Sequence, residues 1–434
     1  MIENLFIAQN DQNVSTYYER SVEDIKQRGL VHTKVAGKYE IVQELPKEAN
    51  SLEEMLHYAD AYGNLRFAYI HSSHEIGKNI SNEEKDASAF GGELGVNTAS
   101  YYGFHAQAAV YISQSLEFAN PSREKRNEDF FNTDVDSFAY LALANIGFDY
   151  ENFSLRIGRI ALETPYANMD DIRMAANTFE GVLGQIEYFE GLHSHLFAAN
   201  RWAGYDSQDE DAKLSQDRFK DLTADGFGIA GASLTYEYAR NSEASFWYSY
   251  IDRMAEILYG EVVGIYFIEG DKFHFDYGVQ YASIKELEGS GYGGNVIGLM
   301  GILNMRGIFF GASYNKAFVG DAKSITDGFG GGPYYTSLDE TTIATISELK
   351  KGEDVSAYKL SMGYNLKKLG LHKVIAELVY GEFTTNSTYI SERNVILSYE
   401  VEDKWNFEAI YTKYLSDSQT VDFDRALVRV NYQF

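Results

Sequence analysis

RALVRVNYQF (425–434), the last ten residues, alternates: Ala426, Val428, Val430, Tyr432 and Phe434 fall on one face, and Arg425, Arg429, Asn431 and Gln433 on the other. A period of two is the side-chain repeat of a β-strand. The repeat returns upstream. In DKFHFDYGVQYA (271–282), Phe273, Phe275, Tyr277, Val279 and Tyr281 alternate with His274, Asp276, Gly278 and Gln280. SAYKLSMGYNL (356–366) and WNFEAIYTK (405–413) read the same way. One face is apolar and ends in aromatics; the other mixes small, polar and charged side chains. A soluble sandwich would bury the apolar face, whereas a membrane barrel turns it to lipid and keeps the polar face in its lumen. The aromatic caps favour the barrel, because Tyr, Trp and Phe gather at both bilayer interfaces.

Composition agrees with a chain that is nearly all strand. Among 434 residues there are 4 Pro, 38 Gly, 34 Tyr and 27 Phe. No run of 18 apolar residues exists, so no transmembrane helix is expected. The balance of 64 acids against 37 bases, a net charge of −27, excludes a nucleic-acid surface, which needs clustered Lys and Arg. With no Cys, disulfides, thiolate nucleophiles and Cys-based metal sites are also excluded.

Eighteen strands are predicted, near 62–72, 86–98, 101–113, 135–149, 151–162, 177–188, 191–202, 226–238, 242–253, 256–267, 271–282, 291–303, 306–317, 355–366, 371–381, 392–402, 404–415 and 422–434. Their connections sort by parity. One set is short; the other, at 73–85, 114–134, 163–176, 203–225, 283–290, 318–354, 382–391 and 416–421, is longer, and only the connection near Met254 departs from the rule. Short turns at one end and long loops at the other are the outer-membrane pattern, with the long loops outside the cell. An even number suits an all-β, closed antiparallel transmembrane barrel, and lipid makes closure obligatory. The barrel is assigned to 61–434 and a periplasmic extension, partly disordered or helical, to 1–60. Within the extension, Ser51 and Glu54 are placed as N-cap and N3 of a capping box on a short helix. A tag near Gly330 should be reachable on intact cells, and one near Lys368 hidden.

Residues 151–181, ENFSLRIGRIALETPYANMDDIRMAANTFEG, are more specific. Gly158-Arg159, Thr164-Pro165, Asp170-Asp171, Arg173-Met174 and Asn177-Thr178-Phe179-Glu180 resemble the OprD-like family of outer-membrane porins. WAG (202–204), GGGPYYTS (330–337) and the C-terminal strand are similar to the same family, from about residue 50 to the end. The resemblance implies eighteen strands and a substrate-selective diffusion channel. It implies that the third outer loop, here about 163–176, folds into the lumen as a constriction. It further implies small solutes, often carboxylates, guided along a ladder of basic residues facing an acidic side.

The strand pattern offers Arg66, Arg156, Lys359, Arg425, Arg429 and also Arg201 as inward bases, and Glu187, Glu237, Asp276, Glu377 and Glu408 as inward acids. Arg159 falls on the lipid-facing parity unless a bulge intervenes. At the constriction, Glu163, Asp170, Asp171 and Arg173 are expected opposite Arg156, Arg425 and Arg429. Acid against base makes a transverse field that orients a zwitterion or small carboxylate. Lumen pairs that merely stiffen the barrel are compatible with this reading.

Other motifs carry less. Acidic stretches at 82–86, 127–136 and 206–212 read as solvated loops, because no EF-hand spacing supports calcium. GFGGGP (328–333) lacks the Lys-Ser or Lys-Thr of a phosphate loop and reads as a glycine-rich surface loop. His193 and His195 share a face without a third ligand. No Ser-His arrangement suggests a barrel enzyme, and no cofactor or metal is expected. MIENLFIAQNDQN (1–13) has neither the positive start nor the apolar run of a signal peptide, so the signal is read as absent from this chain. The leading function is a passive, substrate-selective porin in the Gram-negative outer membrane. The alternative is an adhesin or receptor barrel acting through its long loops. Expected partners are small solutes, outer-membrane lipid and lipopolysaccharide, and the barrel assembly machinery through the Phe434 strand.

Overall fold

Alternation along each strand leaves one apolar and one polar face, and closing the sheet on itself turns the first outward and the second to the lumen. The computed structural model describes residues 46–75, 82–208, 215–270, 272–366, 371, 373–401, 404–417 and 422–434. It is an eighteen-stranded antiparallel barrel. Neighbouring strands follow chain order, and the first, Asp60–Glu75, closes on the last, Asp422–Gln433, with Asn64 opposite Gln433 and His71 opposite Ala426. Phe434 and Gly63 exchange two backbone hydrogen bonds of 3.1 Å at the seam. No open edge remains at the closure, as a hydrocarbon environment demands.

All eighteen predicted strands are present, with ends displaced by a few residues. The outward face carries exposed Phe67, Leu94, Ile146, Leu196, Leu234, Phe246 and Leu258. The hydrophobic clusters lie inside the wall. The largest joins inward Phe197, Ala199, Trp247 and Tyr259 to Tyr166 of the 163–177 segment and to Phe329, Tyr334 and Ile343 of the 320–354 loop. A second packs Phe130, Phe131 and Met174 against Ala68, Ile70 and Leu427 of the first and last strands. The long loops are thus anchored inward by their aromatics, each large ring contributing roughly 1.5–3 kcal/mol when fully buried.

Two sequence expectations need correction. The glycine-rich segment is not a surface loop. Phe329, Tyr334 and Tyr335 are buried, the Gln280 amide donates to the Pro333 carbonyl at 3.0 Å, and the Thr336 N–H donates to Asn315 Oδ1 at 3.0 Å. Gly328 and Gly330 have φ of +77° and +127°, and a Cβ at either would fall 2.3 Å from Tyr166 O or Asn168 Oδ1. Glycine there lets one loop lie directly on the other. A tag at Gly330 would therefore disturb packing, and Lys368 lies outside the described residues. Exposed Gly289, with nothing within 4 Å of its would-be Cβ, is the better outer position, and exposed Glu151 the better inner one. A tag at Gly289 is expected to be labelled on intact cells and one at Glu151 only after permeabilisation; the reverse pattern would invert the orientation.

The capping box is half formed. Ser51 Oγ accepts from the Glu54 N–H at 3.1 Å on the helix Leu52–His57. Glu54, however, accepts from the Asn50 N–H at 2.8 Å, one residue earlier than expected. The segment lies against the first short turn, where Ser100 N donates to Lys47 O and Ala49 N to Ser100 O, both at 2.8 Å. The expected extension otherwise falls on residues 1–45, outside the described residues, as does the reading of the N-terminal signal.

Candidate pore lining

Inward parity on the first and last strands brings three arginines to one side of the lumen. Arg66 is buried and forks onto Asp171, with Nη1 and Nη2 each donating at 2.6 Å. Its Nε donates to Asn431 Oδ1 at 2.7 Å, and Nη1 also reaches the Arg173 carbonyl. Arg429 donates to the Asp171 carbonyl at 2.7 Å and through Nε to Glu408 at 2.8 Å. Arg425 pairs with Asp339 and Glu340 of the 320–354 loop. Arg173, brought in by the 163–177 segment, donates to Asp129 Oδ2 at 2.9 Å and to Glu340 Oε1 at 3.4 Å. Because Phe67 and Val428 face outward, a segment touching Arg66 and Arg429 must lie inside the wall.

Glu340 thus sits between two guanidiniums, and Asp171 takes a bidentate fork. Planar guanidinium matches carboxylate geometry, so each of these positions is built to hold a carboxylate. The arginines beside it hold Asp339 below the usual carboxylate range against the opposing effect of burial, and Arg66 does the same for Asp171.

The residue next in sequence behaves oppositely. Asp170 sits at φ +38° and points to Asp206, whose carboxylate also accepts from Asn177 Nδ2 at 2.6 Å. Burial first, and then mutual repulsion, raise Asp206; burial raises Asp170. Burial also pushes Glu163 and Asp327 up to about 7. A raised carboxylate is neutral below its own pKa and anionic above it. Between pH 6 and 9 these loops should therefore gain negative charge. The reversal potential in a salt gradient is expected to move toward cation preference over that window, and Asp206→Asn with Glu163→Gln to flatten the change. A profile identical in the double variant would remove these groups from the permeation path.

The remaining expected bases divide. Lys359 donates to the Ser337 carbonyl at 3.1 Å, joining inner wall to long loop. Arg156 is inward, but it is not hydrogen-bonded to the 163–177 segment expected opposite it: it donates to Asp149 at 2.8 Å and to the Leu155 carbonyl at 3.0 Å. Arg201 does not join the inward set. The register shifts between Glu180 and Gly181, whose partners are Arg201 and Ala199, and this bulge at Asn200 reverses the parity. Arg201 instead lies beside Glu180 (3.0 Å) and Asp221 (3.5 Å).

Arg159 opposes Ala144 and Glu180 in unbroken register, on the side of exposed Ile157, so no bulge turns it inward. The strand Phe153–Ile160 ends early and leaves Phe138–Leu143 unpaired on that side. Arg159 donates to the free Leu141 carbonyl at 2.6 Å and lies 4.2 Å from the Phe219 ring centre.

Asp129, Asp206, Asp339 and Glu340 were not anticipated. They lie on loops without periodicity, and only the aromatic pairs beside them, Phe130-Phe131 and Tyr334-Tyr335, signal that these loops turn inward. His193 and His195 meet edge-on, His195 stacks on Trp247, and no metal-binding cluster exists among the described residues.

A family model described as outer membrane porin, OprD family, matches residues 57–318. No curated protein matches the chain, but 224 chains of solved structures do. Pseudomonas aeruginosa OpdL is 18% identical, with a TM-score of 0.66 over 87% of this chain and 98% of that one. Pseudomonas aeruginosa OpdK, solved with vanillate, is 14% identical at a TM-score of 0.70, over 86% and 98%. Acinetobacter baumannii OccAB4 is 14% identical at 0.67, over 86% and 98%.

Proposed function

The chain belongs to the OprD family of outer-membrane porins, and on that premise we propose that it passively conducts small solutes bearing a carboxylate, alone or as part of a zwitterion. The observation carrying this reading is the inward row Arg66, Arg429 and Arg425, joined by Arg173, whose donors are already taken by the protein's own carboxylates, Glu408 on the wall and Asp171 and Glu340 on the inward loops. A solute carboxylate can exchange with Asp171 or Glu340 one fork at a time. Such competition keeps each site strong enough to enter and weak enough to leave, as conduction requires. Loop charges on the outside are screened beyond about 8–10 Å at physiological salt, so the net charge of −27 is a poor guide to selectivity. OpdK was solved with vanillate, itself an aromatic carboxylate, which fits the same chemistry.

The constriction in this reading is the 163–177 segment together with the 320–354 loop. Lys359 and Arg156 flank the pathway, Arg156 at the periplasmic mouth. In this reading Phe434 is the residue that the barrel assembly machinery recognises, and its exposure at the closing seam supports that role. The receptor alternative loses its motive, because Phe130, Phe131, Phe329 and Tyr334 draw the long loops inward. Liposome swelling over a panel of amino acids, dicarboxylates and sugars tests the proposal. Carboxylates and zwitterions of similar size should enter several-fold faster than neutral sugars; equal rates for all would remove the selectivity.

A further inference from the structure

The outward face near the long-loop end carries a cation pair that the pore does not use. Arg393 and Lys413 stand directly opposite each other on adjacent strands. Their sequence neighbours Glu392, Asn394 and Thr412 are buried inside, and Thr412 bonds Asp339 of the inward loop. Arg393 and Lys413 therefore face out. One rung toward the barrel's middle, Val395 and Tyr411 are exposed at 50% and 44%.

Like charges directly opposite across a strand pair repel, and a cation on the lipid face is costly at the midplane but nearly free at the interface. Of the nearby carboxylates only Asp424 reaches the pair, and it reaches Lys413 alone. Glu382 is taken by the hydroxyls of Tyr358, Tyr380 and Tyr389, the last two at 3.0 Å. Asp424 accepts from the Tyr411 hydroxyl at 2.6 Å and lies 3.5 Å from Lys413. Arg393 has only the face of Tyr380, 5.9 Å away. Among the described strand residues it is the exposed outward cation without a carboxylate partner. Elsewhere outward cations are paired: Arg159 with Glu180 at 3.0 Å and Lys285 with Glu256 at 2.7 Å.

We propose that Arg393 and Lys413, with the phenols around them, bind the phosphate headgroup of an outer-leaflet lipid. Charge complementarity selects an anion. Position selects one held at the bilayer surface, with acyl chains that lie along Val395 and the rows below. A guanidinium fork suits phosphate oxygens, and amphipathic tyrosines prefer headgroup level. The proposal rests on the long-loop end lying outside the cell, which the Gly289 and Glu151 tags test separately.

The experiment uses the full chain, purified in detergent and stripped of lipid. The temperature at which the heat-modifiable band converts is measured alone, with bisphosphorylated lipid A, with dephosphorylated lipid A, and with inorganic phosphate. Bisphosphorylated lipid should raise the conversion temperature by several degrees and the dephosphorylated form by much less. Arg393→Gln with Lys413→Gln should abolish that difference, and Arg393→Lys with Lys413→Arg should retain it, which separates lost charge from lost folding. Equal protection of the Gln variant, equal protection by dephosphorylated lipid, or full protection by inorganic phosphate alone would each overturn the assignment. So would a change in oligomeric state in the Gln variant with lipid protection intact, which would make this face a contact between copies of the chain.

Discussion

Replacing Asp339 by Asn and Glu340 by Gln together is expected to turn the channel toward anions. Both carboxylates sit on Arg425, and Glu340 also reaches Arg173. Their loss leaves Arg425 without a carboxylate and Arg173 with Asp129 alone, and removes two negative charges where the wall is close and the dielectric low. Small-carboxylate uptake should rise several-fold at low concentration and saturate at a lower one. The reversal potential in a salt gradient should shift toward anion preference. Stability should fall by at most the roughly 3–5 kcal/mol of a buried pair broken on one side, and by less where lumen water reaches Glu340, whose side chain is 25% exposed. Unchanged selectivity in a folded variant would mean that these arginines do not line the path.

The converse change removes the bases. Arg66, Arg425 and Arg429 replaced together by Gln leave Asp171, Glu408, Asp339 and Glu340 without those cations. The lumen then carries several uncompensated carboxylates. Cation preference for simple salts should rise strongly, and carboxylate uptake should fall by an order of magnitude, while heat-modifiable mobility shows that the barrel survives. Arg156→Gln alone should change both far less, since Arg156 pairs with Asp149 near the short turns. A similar loss from Arg156→Gln would move the selective point toward the periplasmic mouth.

The contrast between these arginines shows which parts of the molecule are legible in a sequence. The strands were, because a period of two persists through RALVRVNYQF and its many analogues and one wrong step would turn a whole face inside out. The inward set Arg66, Arg425 and Arg429 followed from the same parity. Arg201 did not, because a single extra residue at Asn200 reverses the parity beyond it. Loop placement was harder. Arg66 meets Asp171 across 105 positions of sequence, and nothing periodic links them. The glycines of GFGGGP suit an exposed turn as well as a close approach between two backbones; only the tyrosines that follow point to the second. Partners are equally hidden: Arg156 shares the inward parity, yet its hydrogen bonds go to Asp149 and the Leu155 carbonyl and not to the 163–177 segment.

Single-channel recording of the full chain in planar bilayers, with a small carboxylate titrated on one side, tests the central claim most directly. A substrate-selective porin should give discrete conductance steps whose amplitude or open dwell falls saturably with the carboxylate, and much less with a neutral sugar of equal size. Absence of steps above leak would contradict the account altogether, and steps indifferent to the carboxylate would contradict its selectivity.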